Sequence, residues 1–212
     1  MEKVNIFVGR FQPFTAGHYK CIEEAYRRTG LRTVICMMEK SDNKLSERNP
    51  FPTWMLVDLY SDLFNNDKRV AAVIPVQSAY IVNIGQTLRE NNFEIAAWTC
   101  GTDRYPDYSE KAAKYHDLAG LSDDFEMIEI ARDEKSEDNI SATKVRNCLL
   151  NNDVKGFLRM MPPGNNRMEL YNTLRKQICK VYGISLDSDM QTLEFRVRRL
   201  ENLIQRTNRF YL

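Results

Sequence analysis

Residues 4–18 read Val4-Asn5-Ile6-Phe7-Val8-Gly9-Arg10-Phe11-Gln12-Pro13-Phe14-Thr15-Ala16-Gly17-His18. The apolar run Val4–Val8 predicts a buried β-strand, and the helical spacing of apolar side chains over residues 18–29, with Gly30 as a stop, predicts a helix. The loop between them therefore leads into a helix N-terminus, whose unpaired backbone N–H groups favour an anion. In an open α/β sheet, such a loop lies at the edge where ligands bind.

The same alternation of strand and helix continues along the chain. Further apolar runs predict strands at residues 33–38, 70–76, 93–100 and 125–131, and helical patterns lie at 54–64, 81–89 and 108–118. Continuous apolar strands alternating with helices are typical of βαβ units whose parallel strands are buried on both faces. We therefore expect an α/β fold, a Rossmann-like doubly wound parallel sheet of about five strands.

Beyond residue 139 the pattern becomes helical, with a break at Pro162-Pro163-Gly164. Helices are predicted at 141–150, 154–161, 167–182 and 191–207. We expect a Rossmann-like domain over residues 1–161 and a C-terminal helical extension over residues 162–212. In the extension, apolar side chains step by four and three residues, at Leu186, Met190, Leu193, Val197, Leu200 and Ile204. This spacing suits a helix packed on its own domain or a homo-oligomer contact through the C-terminal helix.

Composition limits the class of protein. The formal net charge is +1 and 43% of the residues are hydrophobic, which favours a globular chain and disfavours a nucleic-acid or membrane-surface partner. Residues 167–212 carry a net charge of +4 and residues 1–166 a net charge of −3. No apolar run is long enough for a membrane span, no signal peptide precedes the first strand, and the five cysteines are scattered. We therefore expect a cytoplasmic protein without disulfides.

The loop at residues 9–18 has the residue types of a phosphate site. Gly9 permits a sharp turn, Thr15 supplies a hydroxyl, Gly17 lets the backbone approach a ligand, and His18 lies in the first turn of the helix. A lone histidine is more often a hydrogen-bonded structural residue, but this setting favours a functional role.

The stretch Thr15-Ala16-Gly17-His18 resembles the [H/T]-x-G-H signature of the nucleotidylyltransferase superfamily. The preceding residues 9–14 match the G-R-F-Q-P-F form of archaeal-type nicotinamide mononucleotide (NMN) adenylyltransferases and their relatives. Thr15 stands where histidine usually follows that prefix, although threonine occurs there elsewhere in the superfamily.

A second motif, Ile140-Ser141-Ala142-Thr143-Lys144-Val145-Arg146, resembles the superfamily's I-S-x-T-x-x-R element, which opens a helix and grips the triphosphate. The residue types agree with that role. Ser141 is suited to cap the helix, Thr143 adds a hydroxyl, and Lys144 and Arg146 add positive charge near the outer phosphates.

Weaker resemblances lie between the two motifs. Residues 48–51, Arg-Asn-Pro-Phe, resemble an N-P-F element with a basic residue near the phosphates, but Met55 and Leu56 stand where an acidic–basic pair is usual. Residues 101–104, Gly-Thr-Asp-Arg, resemble a G-x-D-R nucleotide-binding turn. Trp98 is expected in the core, with stacking on a base as the alternative, and His116 is expected to be structural.

The resemblance implies transfer of a nucleoside monophosphate, AMP from ATP, to a phosphorylated small-molecule acceptor such as NMN, with release of pyrophosphate. Mg²⁺ would travel with the triphosphate, because no residue cluster suggests a metal site. The alternatives are adenylyl or cytidylyl transfer to another phosphorylated acceptor, and a non-catalytic nucleotide-binding structural or interaction protein, such as a phage virion-related one. The residues implied in catalysis are His18, Thr15 and Arg146; those implied in binding are Gly9, Arg10, Phe11, Gly17, Arg48, Gly101, Asp103, Arg104, Ser141, Thr143 and Lys144.

Overall fold

The computed structural model describes residues 1–39, 44–131 and 140–186. Its strands are β1 (Glu2–Gly9), β2 (Thr33–Met38), β3 (Val70–Val76), β4 (Phe93–Gly101) and β5 (Leu121–Ile130). They form one parallel sheet in the order β3-β2-β1-β4-β5. The expected α/β fold, a doubly wound parallel sheet of five strands, is confirmed.

The helices are α1 (Ala16–Thr29), α2 (Thr53–Phe64), α3 (Ile81–Glu90), α4 (Tyr105–Lys114), α5 (His116–Ala119), α6 (Ala142–Leu150), α7 (Val154–Met160) and α8 (Arg167–Tyr182). Gly30 ends α1 in the left-handed conformation at φ 71°, as its position predicts.

Two element boundaries differ from the expectation. The single helix expected over 108–118 is wrong, because the chain forms two helices, α4 and α5, separated at Tyr115. The fifth strand begins at Leu121 and not at residue 125. Its first part reads Leu-Ser-Asp-Asp, which lacks an apolar run, and a register shift in β4 lies beside it.

Alternate side chains of β1 face opposite sides of the sheet. Val4, Ile6 and Val8 pack with apolar residues of α3, α4 and α5. Phe7 packs on the other side with residues of α1, α2, α6, α7 and α8. Both faces of the sheet are therefore covered by helices.

A buried chain of polar groups crosses the centre of the sheet. Thr99 Oγ1 donates to Asn5 Oδ1 at 2.8 Å, and Asn5 Nδ2 donates to Thr33 Oγ1 at 2.9 Å. All three residues are buried, so the two bonds offset the cost of removing their polar atoms from water. The chain ties β1 to both of its neighbours, since Asn5 lies on β1, Thr33 on β2 and Thr99 on β4.

The described part of the C-terminal extension packs on the sheet domain. Leu170, Leu174 and Ile178 of α8 belong to the hydrophobic cluster that contains Phe7, and the ring of Tyr171 lies 5.1 Å from that of Phe157. The predicted helix 191–207 and the apolar positions after Leu186 lie outside the described residues. Within the described ranges, no helix combines the length and apolar character that crossing a membrane requires.

One polar cluster attaches α1 to the start of β3. The Tyr19 hydroxyl and Arg69 Nε both donate to the Asp67 carboxylate, and the Arg69 guanidinium lies 5.0 Å over the Tyr19 ring. Burial alone would raise the pKa of Asp67, but the hydrogen bonds from Arg69 and Tyr19 outweigh it and lower that pKa below 3.8.

Asp67→Asn should lower the free energy of unfolding by about 1–3 kcal/mol at neutral pH, because it removes hydrogen bonds to a charged acceptor. The pKa of Asp67 is lower in the folded than in the unfolded protein, so its contribution is complete above the unfolded pKa. That contribution is lost as the pH falls through the folded pKa. The difference between variant and parent should therefore shrink on acidification. Urea unfolding over a pH series measures it, with Asp58→Asn at an exposed position of α2 as the control; a pH-independent difference would contradict the assignment.

Candidate active site

The loop between β1 and α1 fixes the ring of His18. Thr15 precedes the first residue of α1, and its backbone N–H donates to His18 Nδ1 at 3.0 Å. Thr15 Oγ1 also lies 3.0 Å from Nδ1, and the Thr15 side chain is almost fully buried. Because Nδ1 accepts a hydrogen bond, the neutral imidazole carries its proton on Nε2. The helix cap therefore sets both the orientation and the tautomer of His18.

Aromatic rings surround the same imidazole. The His18 ring centroid lies 5.1 Å from Phe11, 5.2 Å from Phe14 and 6.2 Å from Phe7. Phe11 adopts a positive φ of 44°, and its ring folds back over Gly9, where a Cβ atom would approach the ring to 2.8 Å. Gly9 is therefore required by the packing of Phe11, and Phe11 acts on His18 through ring contact.

The side chain of Gln12 joins this loop to the segment before α2. Gln12 Nε2 donates to the Phe51 carbonyl at 2.9 Å, and the Phe51 N–H donates to Gln12 Oε1 at 3.1 Å. An amide is the side chain that can make this pair, because it carries a donor and an acceptor side by side. The loop after β1 and residues 48–51 thus form one surface.

The second motif meets the first. Ser141 caps α6 by accepting from the Lys144 N–H at 3.2 Å, as its position predicts. Arg146 Nη1 donates to the Gln12 carbonyl at 2.7 Å, and its Nη2 donates to Thr143 Oγ1 at 3.1 Å. Close packing at the start of the two helices accompanies these bonds: a Cβ atom on Gly17 would lie 3.4 Å from the Ile140 carbonyl oxygen. The N-termini of α1 and α6 therefore adjoin.

Positive charge accumulates at this junction. Burial lowers the pKa of the Arg146 guanidinium, and the charge of Arg48 acts in the same direction, which places the two cations near each other. Helix α8 supports the segment that carries Arg48, because Gln177 Nε2 donates to the Pro50 carbonyl at 3.1 Å and the Tyr182 hydroxyl donates to the Glu47 carbonyl at 3.4 Å. Two guanidinium groups that repel each other across this junction favour an anionic ligand.

The Gly101–Arg104 turn lies at the same edge of the sheet. Phe7 of β1 pairs with Thr99 of β4. Gly9 and Gly101 each lie two residues further along these parallel strands, so both glycines lie at the same edge of the sheet. The Arg104 N–H closes the turn on the Gly101 carbonyl at 2.9 Å, and the Arg104 side chain lies 3.6 Å from the Asp103 carboxylate. Both side chains are exposed, which leaves this turn open to a ligand.

Two aromatic residues noted in the sequence lie away from the edge. Trp98 is fully buried and stacks on Tyr108 with ring centroids 4.3 Å apart, so its expected place in the core is confirmed. His116 lies on the surface, where its Nδ1 is 3.1 Å from Asp117 Oδ1.

The start of α2 places three successive side chains in different surroundings. Leu56 is buried in the core, and Met55 lines a groove beside α8. Trp54 is exposed and lines a pocket of about 410 Å³ whose walls include Arg10, Gln12 and Phe51. This pocket opens directly beside the loop that carries His18.

Among residues 1–39, 44–131 and 140–186, no group of three or more His, Cys, Asp or Glu side chains is placed to hold a metal ion.

Comparison with known families agrees with this geometry. Residues 6–148, more than half of the chain, match the family model described as Cytidylyltransferase-like. The chain belongs to the cytidylyltransferase-like family. It is thereby a member of the nucleotidylyltransferase superfamily, as the two motifs predict. No curated protein matches the sequence closely enough to count as a relative.

Solved structures share the fold at low sequence identity. One is a bifunctional NMN adenylyltransferase/ADP ribose pyrophosphatase from Francisella tularensis, with a TM-score of 0.56 and 19% identity over 95% of this chain and 57% of that one. A structure of a bifunctional protein of the same description and organism, complexed with AMP and a Mn ion, has a TM-score of 0.52 and 20% identity over 95% and 56%. The cytidylyltransferase-like chain thus spans a little over half the length of these Francisella chains, and the likeness establishes the fold.

Two residues that support this cytidylyltransferase-like site lie outside every motif. Gln177 and Tyr182 donate to backbone carbonyl groups more than 120 residues away in the chain. Gln12 and Phe51 lie within motifs, but the sequence does not indicate that their groups bond to each other.

The paired hydrogen bonds of Gln12 predict a specific cost of substitution. Gln12→Glu keeps an acceptor for the Phe51 N–H but replaces the donor with a second acceptor facing the Phe51 carbonyl. We expect the free energy of unfolding to fall by about 1–3 kcal/mol, since a part-buried carbonyl loses its partner. Thermal or urea unfolding measures the change, and Gln77→Glu, at an exposed position, is the matched control. Equal free energies of unfolding for Gln12→Glu and Gln77→Glu would show that the paired hydrogen bonds of Gln12 do not stabilise the fold.

Proposed function

We propose that this protein is a nucleotidylyltransferase that moves AMP from ATP to the phosphate of a small-molecule acceptor, with NMN as the leading acceptor, and releases pyrophosphate. The observation that carries the proposal is the junction of the two motifs, where Arg146 bonds to the Gln12 carbonyl and the N-termini of α1 and α6 adjoin. The family, the G-R-F-Q-P-F prefix and the activity named for the Francisella protein support it.

The reaction needs little covalent chemistry from the protein. A phosphate oxygen of the acceptor attacks the α-phosphorus of the triphosphate, a new P–O bond forms, and the bond to the bridging oxygen breaks as pyrophosphate leaves. The acceptor phosphate is already an anion at neutral pH, so no strong general base is required. Positioning and charge stabilisation then account for the rate enhancement.

His18 is the group that we assign to the transition state. Its Nε2–H donates to an α-phosphate oxygen as negative charge increases there, and Thr15 maintains the required tautomer through the 3.0 Å bond to Nδ1. Thr15 is therefore a positioning residue in this proposal, which differs from the direct phosphate contact that the sequence motif implied.

The outer phosphates are assigned to the cations and to the start of α6. Arg146 has five N–H donors, and two of them bond to Gln12 and Thr143. Further donors of Arg146, with Arg10, Arg48 and Lys144, bind the β- and γ-phosphates. Backbone N–H groups near Gly17 and after Ser141 add helix N-terminal donors, and the Gly101–Arg104 turn contacts the nucleoside.

Mg²⁺ enters as part of the Mg–ATP substrate. It neutralises charge on the triphosphate, and phosphate oxygens are the ligands that it prefers. The described residues offer it no dedicated cluster, so the cations named above act alongside it.

Product formation tests the function directly. The full-length protein incubated with Mg–ATP and NMN should yield NAD and pyrophosphate, identified by mass spectrometry. The same assay with CTP, and with ribose 5-phosphate, flavin mononucleotide and phosphopantetheine as acceptors, ranks the alternatives. Absence of any product across this panel would refute the enzyme and leave a non-catalytic nucleotide-binding role, which equilibrium dialysis with ATP measures.

Substitutions of His18 test the roles of its two ring nitrogens separately. His18→Ala should reduce kcat by about 10²–10³-fold, the range for losing one transition-state donor. His18→Asn keeps an acceptor near Nδ1 and should preserve stability, whereas His18→Gln keeps a donor near Nε2 and should preserve more of kcat. His116→Ala, at the second histidine of the chain, is the control and should have the kcat of the parent. A kcat that follows stability across the three His18 variants would mean that the ring is structural.

A further inference from the structure

Trp54 combines an unusual exposure with a functional position. Its side chain is 66% exposed, and it is the second residue of α2. The other tryptophan of the chain, Trp98, is fully buried. An indole is a large apolar surface with a polar N–H, and small-molecule pockets are lined mainly by hydrophobic and aromatic side chains, so an indole exposed on a pocket wall is a candidate ligand contact.

The pocket that Trp54 lines has the chemistry of a site for an aromatic phosphate compound. Lys44 brings positive charge to its wall, which suits the phosphate of an acceptor, and Arg10, assigned above to the triphosphate, borders the same pocket. Trp54 brings aromatic surface, and Glu39 brings a carboxylate that suits a ring carrying positive charge. The volume of about 410 Å³ lies in the range of small-molecule sites.

The position of Trp54 is coupled to the reacting loop. The Phe51 backbone, three residues before Trp54, is held by both hydrogen bonds of the Gln12 side chain. The Gln12 carbonyl in turn accepts from Arg146. A ring stacked on Trp54 would therefore have a defined distance and direction to the loop that carries His18.

We propose that Trp54 is the specificity-determining residue for the acceptor, stacking on a planar heteroaromatic ring. The site then accepts aromatic mononucleotides and discriminates against phosphorylated acceptors without a ring. This inference rests on the proposed function, because it assumes that the pocket beside the His18 loop receives the acceptor.

Intrinsic fluorescence observes the stacking without any need for turnover. NMN titrated into the full-length protein, with and without Mg²⁺ and a non-hydrolysable ATP analogue, should quench tryptophan emission. Ribose 5-phosphate, the same phosphate and sugar without the ring, should not quench it. In Trp54→Phe the NMN-dependent quenching should disappear, because the remaining Trp98 is buried.

Steady-state kinetics give the second readout. Trp54→Ala should raise the KM for NMN by about 10- to 100-fold, the range for losing one base–aromatic stack, with kcat changed much less. Trp54→Phe should restore most of the affinity, since a phenyl ring still stacks. Leu118→Ala removes a similarly exposed apolar side chain from α5, ahead of the first residue of β5, and should leave KM unchanged.

The outcomes distinguish the two proposals. Product formation with an unchanged KM in Trp54→Ala, or NMN binding without quenching, overturns the role of Trp54 and leaves the transferase intact. No product from any acceptor, together with NMN quenching that Trp54→Phe abolishes, refutes the transferase and supports Trp54 as the ring-binding residue. Equal quenching by NMN and ribose 5-phosphate would also overturn the stacking.

Discussion

Gln12 forms two sets of hydrogen bonds on which the arrangement of the site depends. Its carbonyl accepts from Arg146 at 2.7 Å, and its side chain pairs with the Phe51 backbone. One residue thus connects the loop after β1 to α6 on one side and to the start of α2 on the other. These bonds join protein groups alone, so the fold itself holds the donors that we assign to the triphosphate. Preorganisation of this kind lowers the cost of stabilising charge in the transition state.

The fold was largely predictable because its strands are buried on both faces and read as uninterrupted apolar runs. The exception is instructive. The first half of β5 contains Ser122, Asp123 and Asp124, so its pairing with β4 leaves no apolar pattern. Similarly, the break between α4 and α5 at Tyr115 does not interrupt the helical spacing of apolar residues. The pattern of apolar residues predicts which side chains are buried. Strand pairing or a helix break that leaves this pattern unchanged is therefore not indicated by the sequence alone.

The candidate site was predictable to a different extent. Its motif residues follow strands and begin helices, which is enough to place them at one edge of the sheet. The residues that hold these motifs in place were not predictable, since Gln177 and Tyr182 donate hydrogen bonds to backbone carbonyl groups more than 120 residues away in the chain. The two tryptophans show the same limit. Trp98 lies on a strand face that is covered by α4, whereas Trp54 stands at the start of a helix, and only the three-dimensional structure shows that a pocket adjoins it.

The hydrogen bond between Arg146 and Gln12 joins residues 134 positions apart. During synthesis on the ribosome, β1 and α1 are made early, but the partner that holds their connecting loop is added after all five strands have been translated. The nascent chain therefore carries the His18 loop without its final support for most of its synthesis. Assembly of the candidate site is consequently a late event, and the triphosphate that we propose as its ligand would stabilise the completed chain in preference to shorter intermediates.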